Sequence, residues 1–203
     1  GILYDSWDWE SDFVWNGDVG RVLTRLGETP YVFAVGDVIE FDANKVVDDL
    51  GLRPLLGLSE DYEVPSLTLV RADGSTLYTT RDIPYNLWKF RRADEVVNVV
   101  GMEQKLAQLH LKIGLAALGH VDKVKRLRHF AYNLVSLPGV KMSGRAGRFI
   151  SLDETMDEAV GRAFDEVVKR SPQLSEDEKR QISEVVGIGA IKYALLAVDP
   201  LKP

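Results

Sequence analysis

Between residues 96 and 135 the hydrophobic period switches twice, and this limits the architectures open to the chain more than any other feature. Val96-Val97-Asn98-Val99-Val100 is a β-branched run stopped by Gly101, the pattern of a strand buried in a parallel sheet. Leu106, Leu109, Ile113 and Ala116 then recur at helical spacing up to Gly119, and a further candidate strand lies within residues 127–135. Strand, helix and strand at this spacing make a βαβ unit, which predicts an α/β chain built on a doubly wound sheet.

Ahead of that unit, Ser11 followed by Phe13, Val14, Val19, Val22, Leu23 and Leu26 predicts one amphipathic helix stopped by Gly27. Residues 31–35 and 38–41 flank Gly36-Asp37 as a β-hairpin. Residues 42–64 have weak periodicity and contain Gly51, Pro54 and Gly57, so they read as a loop-rich insertion. A second hairpin is expected from residues 66–70 and 75–78 across Asp73-Gly74, then a short helix over residues 83–90 with Pro84 in its first turn. Past Pro138 the pattern is helical. Met156, Ala159, Val160, Ala163, Phe164, Val167 and Val168 form an apolar stripe, and Ser175 with Glu178 is a capping box ahead of Ile182, Val185 and Val186. Gly187 and Gly189 interrupt that segment before Ile191. The tryptophans Trp7, Trp9 and Trp15 read as packing residues.

Composition removes several function classes. The 203 residues suit one large domain, and the absence of cysteine excludes disulfides, thiolate zinc sites and cysteine nucleophiles. A net charge of -6 argues against a basic nucleic-acid platform, while leaving room for a local basic patch. No apolar stretch approaches the ~20 residues of a membrane span, and the first residues resemble no signal peptide. Missing cysteine and scarce amides lean toward a thermophile.

Five places hold residues able to carry chemistry. Asp82 precedes Ile83-Pro84, where it is either a helix N-cap or a carboxylate accepting two hydrogen bonds from a cationic ligand. Glu103 and Gln104 follow the 96–100 strand at its carboxyl end, where α/β sheets bind ligands; equally, they decorate a first helical turn. Residues 137–148 combine three glycines with Lys141, Arg145 and Arg148, which suits either phosphate contact or an ordinary basic turn. Glu10, between Trp9 and Trp15, reads as a buried carboxylate in need of a cation. The basic run Lys123, Lys125, Arg126, Arg128 and His129 is the least specific; it reads as a solvated face or as a contact for phosphate.

Taken in order, these strings resemble a known family. Lys141-Met142-Ser143-Gly144-Arg145 is similar to the KMSKS-type loop of class I aminoacyl-tRNA synthetases. With residues 77–85 (Leu-Tyr-Thr-Thr-Arg-Asp-Ile-Pro-Tyr) and 148–154 (Arg-Phe-Ile-Ser-Leu-Asp-Glu), the chain resembles arginyl-tRNA synthetase in its archaeal-type form. The resemblance runs from the residues around Asp5 to Asp199-Pro200.

The resemblance implies an ATP-dependent ligase that activates arginine as arginyl-adenylate and transfers it to tRNA in the cytoplasm. ATP with Mg2+ would be a substrate, with no tightly bound cofactor or metal. It implies that Tyr78, Asp82, Gln104 and Glu10 hold arginine, a fork of five donors best read by fixed carboxylates and a phenol oxygen. Lys141, Ser143 and Arg145 would be catalytic. Asn133, Leu134, Val135, Lys141, Met142 and Ser143 would bind ATP. The fold implied is the second half of a Rossmann-type catalytic domain (1–16 and 66–140) with an inserted hairpin and loop segment (17–65), the KMS loop (141–154) and a helical region (155–203). Two departures stand out. Gly144 replaces the usual second lysine of the loop, and no HIGH-type string occurs. The chain is therefore expected to be a fragment, inactive alone and self-associating through an apolar edge around Val96, Val97, Val99 and Val100. The alternatives are a stand-alone non-catalytic paralogue that binds arginine or a protein partner, and one half of a split synthetase.

Overall fold

A glycine decides how the chain begins. Gly17 takes a left-handed φ of 79°, which breaks the single helix expected up to Leu26 into α1 (Glu10–Trp15) and α2 (Asp18–Gly27). The computed structural model describes residues 3–133 and 151–202. So short a helix as α1 offers one buried face, and Phe13 fills it, with ring centroids 5.1 Å from Tyr85 and 6.2 Å from Trp88. Trp7, Trp9 and Trp15 are left 76%, 70% and 81% exposed, which corrects the packing role expected of them.

The first hairpin forms as read. β1 (Val32–Val35) and β2 (Val38–Phe41) pair antiparallel, with Val35 opposite Val38 across Gly36-Asp37. Residues 42–64 are loop-rich as read, but they also carry two short helices. Asp42 caps α3 (Ala43–Asp49) by accepting the Lys45 N–H at 2.9 Å, and α4 (Arg53–Leu56) follows after Gly51. Both helices are too short for a periodicity to show. β3 (Leu67–Val70) then joins β2, giving a three-stranded antiparallel sheet in the order β1-β2-β3. The second hairpin shrinks to the bridge between Val70 and Thr76, because the chain turns helical at once into α5 (Tyr78–Lys89).

The βαβ unit is present. β4 (Val96–Gly101) leads through one 3-10 turn (Met102–Gln104), α6 (Lys105–Ala117) and α7 (Val121–Arg126) to β5 (Leu127–Tyr132). β4 and β5 are neighbours in a second sheet, and a helical crossover is the connection that a parallel pair requires. The unforeseen α7 carries part of the basic run on a solvated face, with Arg126 paired to Asp122 at 2.6 Å.

The chain divides into two compact units, Gly1–Ala131 and Tyr132–Pro203. In the first, Leu26, Phe41, Leu69, Ile83, Leu111 and Leu127 bring α2, both sheets, α5 and α6 into one core. Thr80, fully buried, ties α5 to β3 by donating Oγ1–H to the Leu69 carbonyl at 3.2 Å. Thr80→Val keeps the shape but removes the donor, so urea unfolding should show a loss of about 1 kcal/mol. No change in the midpoint would count against that tie.

The second unit contains α8 (Leu152–Arg170) and α9 (Glu176–Leu196), each opened by a full capping box: Ser151 with Glu154, and Ser175 with Glu178. α9 runs unbroken through Gly187 and Gly189, against the interruption read from the sequence. Its buried stripe is Lys179, Ser183 and Gly187, while Val185 and Val186 face outward. No helix among the described residues is long and apolar enough to cross a membrane.

Candidate functional site

The helix that matters is α5, and its start settles what Asp82 is not. α5 begins at Tyr78 after Leu77, whose extended backbone supplies the cap position without a side-chain hydrogen bond. Asp82 therefore lies in the second turn, with Pro84 inside the helix, and the N-cap reading of Asp82 is corrected. Leu77-Tyr78-Thr79-Thr80 turns helical early because Thr79, Thr80 and Ile83 are buried, a tertiary term that outweighs the poor propensity of threonine and proline.

Positions 82, 86 and 89 lie four and then three residues apart, hence along one face of α5. That face meets Asn98, the single polar residue in the middle of β4. Asn98 donates its two Nδ2 hydrogens to Asn86 Oδ1 at 3.1 Å and Gln108 Oε1 at 2.8 Å, and its Oδ1 accepts from Lys89 Nζ at 2.9 Å. Asn86 in turn donates to the Asp82 carbonyl at 2.9 Å. The three amides are 1%, 7% and 6% exposed for Asn86, Asn98 and Gln108, so each bond is made where water cannot replace it.

Around this relay lies a cluster of charge. Burial pushes the Asp82 carboxyl up to about 6; Glu10 adds to the rise, while Lys89 and then Arg81 oppose it. Burial likewise lowers the Lys89 ammonium, against the pull of Asp82 and Asp8. Lys89 Nζ sits 4.1 Å from the centroid of the Tyr85 ring, a cation–π contact, and Tyr85 donates its hydroxyl to Asp8 Oδ2 at 3.3 Å. Burial, then Asp8, pushes the Tyr85 phenol up. Glu10 Oε1 pairs with Arg81 Nε at 2.8 Å. Glu10 has the cation that the sequence called for, but on an exposed surface and not in the interior. Three carboxylates (Asp8, Glu10, Asp82) against two cations (Arg81, Lys89) leave one negative charge in excess. Such a site is complementary to one added cation.

The other candidates are placed less closely. Tyr78 is the exposed first residue of α5, one turn before Asp82. Gln104 ends the 3-10 turn at the carboxyl end of β4 and is half-buried. No hydrogen bond joins either to Asp82 among the described residues. Asn133 donates its backbone N–H to the Pro200 carbonyl at 2.7 Å and its Nδ2–H to the Leu201 carbonyl at 3.3 Å. Leu134, Val135, Lys141, Met142, Ser143 and Arg145 lie outside the described residues. A separate open cleft of about 750 Å³ lies between residues 56–62 and α6, lined among others by Tyr62, Lys105, Lys112 and His129.

Sequence reasoning missed Asp8, Arg81, Tyr85, Asn86, Lys89, Asn98 and Gln108. One signal was available: Asn98 shares the buried phase of its strand with Val96, two residues away, and a lone amide at such a position requires polar partners.

Residues 16–201 match the family model described as "tRNA synthetases class I (R), catalytic domain". An arginine–tRNA ligase of Pyrobaculum islandicum is 45% identical over 100% of this chain, and one of Aeropyrum pernix 38% identical over 100%. The chain spans about a third of their length, 32% and 33%. A solved Thermus thermophilus arginyl-tRNA synthetase matches with a TM-score of 0.75 at 26% identity, over 96% of this chain and 36% of that one. The Plasmodium falciparum arginyl-tRNA synthetase, at 19% identity, has a TM-score of 0.71 over 98% of this chain and 31% of its own, which shows a shared fold.

Proposed function

The chain belongs to the class I arginyl-tRNA synthetase catalytic-domain family, and from that premise we propose that it forms the arginine-recognising part of an ATP-dependent arginine–tRNA ligase. The observation that carries the proposal is the excess negative charge around the half-buried Asp82. A guanidinium brought there neutralises the cluster, and a partly buried carboxylate binds it far more strongly than an exposed one does.

In this reading Asp82 accepts hydrogen bonds from the guanidinium, and the Tyr78 hydroxyl and the Gln104 amide complete its recognition. Glu10 contributes through the field it shares with Arg81. ATP enters as its Mg2+ complex and rests its adenine along the backbone of Asn133, Leu134 and Val135. Lys141, Met142, Ser143 and Arg145 hold the phosphates. The α-carboxylate of arginine attacks the α-phosphorus, the bond to the β-phosphate breaks, and pyrophosphate leaves with arginyl-adenylate formed. A terminal ribose hydroxyl of tRNA then attacks the acyl carbon and releases AMP. Lys141 stabilises the charge growing on the phosphates, so its removal lowers turnover more than arginine affinity. The setting is cytoplasmic, where tRNA is charged.

Titration calorimetry with L-arginine and L-citrulline tests the first step. Citrulline keeps the shape of arginine and replaces the guanidinium with a neutral urea. Arginine is expected to bind at least ~100-fold more tightly, since a charged hydrogen-bonded pair is lost with citrulline. Equal affinities, or no arginine binding, would sink the proposal. Arginine-dependent pyrophosphate exchange by this chain alone is expected to be undetectable, because it carries no HIGH-type string. We also propose self-association through β4 and β5, where Val97, Val99 and Phe130 are exposed although Val96 is buried. Light scattering at tens of micromolar should then give a mass above that of the monomer.

A further inference from the structure

We propose that Lys89 is a positioning residue for arginine recognition: anchored by the buried amides of Asn98, Asn86 and Gln108, it acts through Asp82 by serving as that carboxylate's internal counter-ion. The inference rests on the reading of Asp82 as the arginine-binding carboxylate and extends it to a residue that does not touch the substrate.

Lys89 is seven residues beyond Asp82 on the same face of α5, two turns along. A lysine at a helix end ordinarily extends into water. This one is drawn inward, its ammonium donating to Asn98 Oδ1 at 2.9 Å and lying 4.1 Å from the Tyr85 ring centroid. Neither contact neutralises it, and no carboxylate forms an ion pair with it among the described residues. The amide relay fixes it nonetheless. Both hydrogens of Asn98 Nδ2 are committed to Asn86 and Gln108, so the Asn98 amide cannot flip and its oxygen stays turned to the ammonium.

Such an arrangement costs stability, since a partly buried ammonium held by neutral groups loses hydration. What it supplies is a positive potential at Asp82. The charged groups acting on Asp82 are Lys89 and Arg81 from α5 and Glu10 from α1; Asp8 acts on both Lys89 and Tyr85, Asp82 itself adds to the rise of the Tyr85 phenol, and β4 and α6 contribute the amides of Asn98 and Gln108. Arg81 is already paired with Glu10, so their effects on Asp82 largely cancel. Lys89 is the cation left to keep Asp82 ionised while the site is empty. Burial alone would hold the carboxyl neutral further into the physiological range.

The proposal has an unusual signature. Without Lys89, Asp82 should ionise at higher pH, and arginine binding should weaken only below that pH. Above it, binding should equal or exceed wild type, because the guanidinium no longer shares Asp82 with a second cation. Loss of a merely structural residue would weaken binding at every pH.

The test uses Lys89→Met and Lys89→Gln in the whole chain, each checked for native helix content, with Lys89→Arg as the conservative variant. The Asp82 carboxyl is titrated by carbon-13 NMR without arginine, and L-arginine affinity is measured at pH 6.5 and 8.5. The Asp82 midpoint is expected to rise by about one unit in both neutral variants and to stay near wild type in Lys89→Arg. Arginine affinity should then fall about threefold at pH 6.5 and be unchanged or tighter at pH 8.5, following the ionised fraction. An unmoved midpoint in a folded neutral variant overturns the counter-ion role, and so does equal weakening at both pH values. The midpoint is read without arginine, so an Asp82 that responds to Lys89 in a chain that binds no arginine would instead count against the proposed function.

Discussion

Asp82→Asn is expected to remove at least ~100-fold of arginine affinity and, at the same time, to make the arginine-free chain more stable at neutral pH. The binding loss follows from taking away one partner of a partly buried charged pair, which costs about 3–5 kcal/mol. The stability gain follows from linkage. The Asp82 carboxyl titrates at about 6 in the folded chain against 3.8 as its ordinary value, so between those pH values the folded state holds a proton that the unfolded state has released. The group's contribution to stability therefore falls as pH rises through about 4 to 6, and above that window the folded state bears the whole cost of the charge. Asparagine carries no charge and avoids it. Because Asp82 is only partly buried, the gain at pH 7.5 should be about 1–2 kcal/mol and should vanish near pH 3. Thermal melts at the two pH values, with calorimetry at the higher one, check both halves. An Asp82→Asn chain that still prefers arginine to citrulline would remove Asp82 from the site.

Gly187→Ala should be the more damaging of two neighbouring glycine substitutions in α9. A Cβ at Gly187 would lie 2.7 Å from both N and Cα of Val160 and 2.9 Å from the Ala159 carbonyl carbon. These are backbone atoms of α8 that no rotamer change can move, so the helices must separate. A loss of about 2–3 kcal/mol is expected, at the upper end for overpacking by one carbon. Gly189→Ala, two residues on, meets nothing within 4 Å and should gain about 0.5–1 kcal/mol from helix propensity alone. Hydrogen exchange of the α9 amides reads both variants in the second unit. Equal effects of the two would show that α8 and α9 do not approach closely at Gly187.

That contrast marks the limit of reading these residues in order along the chain. Gly187 and Gly189 both read as helix interruptions, whereas capping by Ser175 and Glu178 and a long hydrogen-bonded run carry α9 past both of them. A helix interior tolerates glycine at a cost of about 1 kcal/mol, and close contact with α8 repays it at one position only. The same holds for Asp82. The dipeptide ahead of Pro84 suggested a cap, yet burial of Thr79, Thr80 and Ile83 extended α5 back to Tyr78 and moved Asp82 into its second turn.

Short-range chemistry along the chain fixes several elements without help from the rest of the fold. The Gly36-Asp37 turn sets the hairpin register of β1 and β2, the Ser175–Glu178 box starts α9, and the period switch after Gly101 makes the βαβ unit. The ordered strings around Tyr78, Asp82 and Lys141 carry the resemblance to the family that matches residues 16–201. Tertiary structure alone decided that Trp7, Trp9 and Trp15 stay exposed, that Gly187 is a contact, and that Lys89, Asn98 and Gln108 form one relay with Asn86. The physical reason is separation along the chain. Caps, turns and periodicity depend on neighbours within about one helical turn, whereas the environment of Asp82 is assembled from α1, α5, β4 and α6, and its charge depends on what those elements exclude from water.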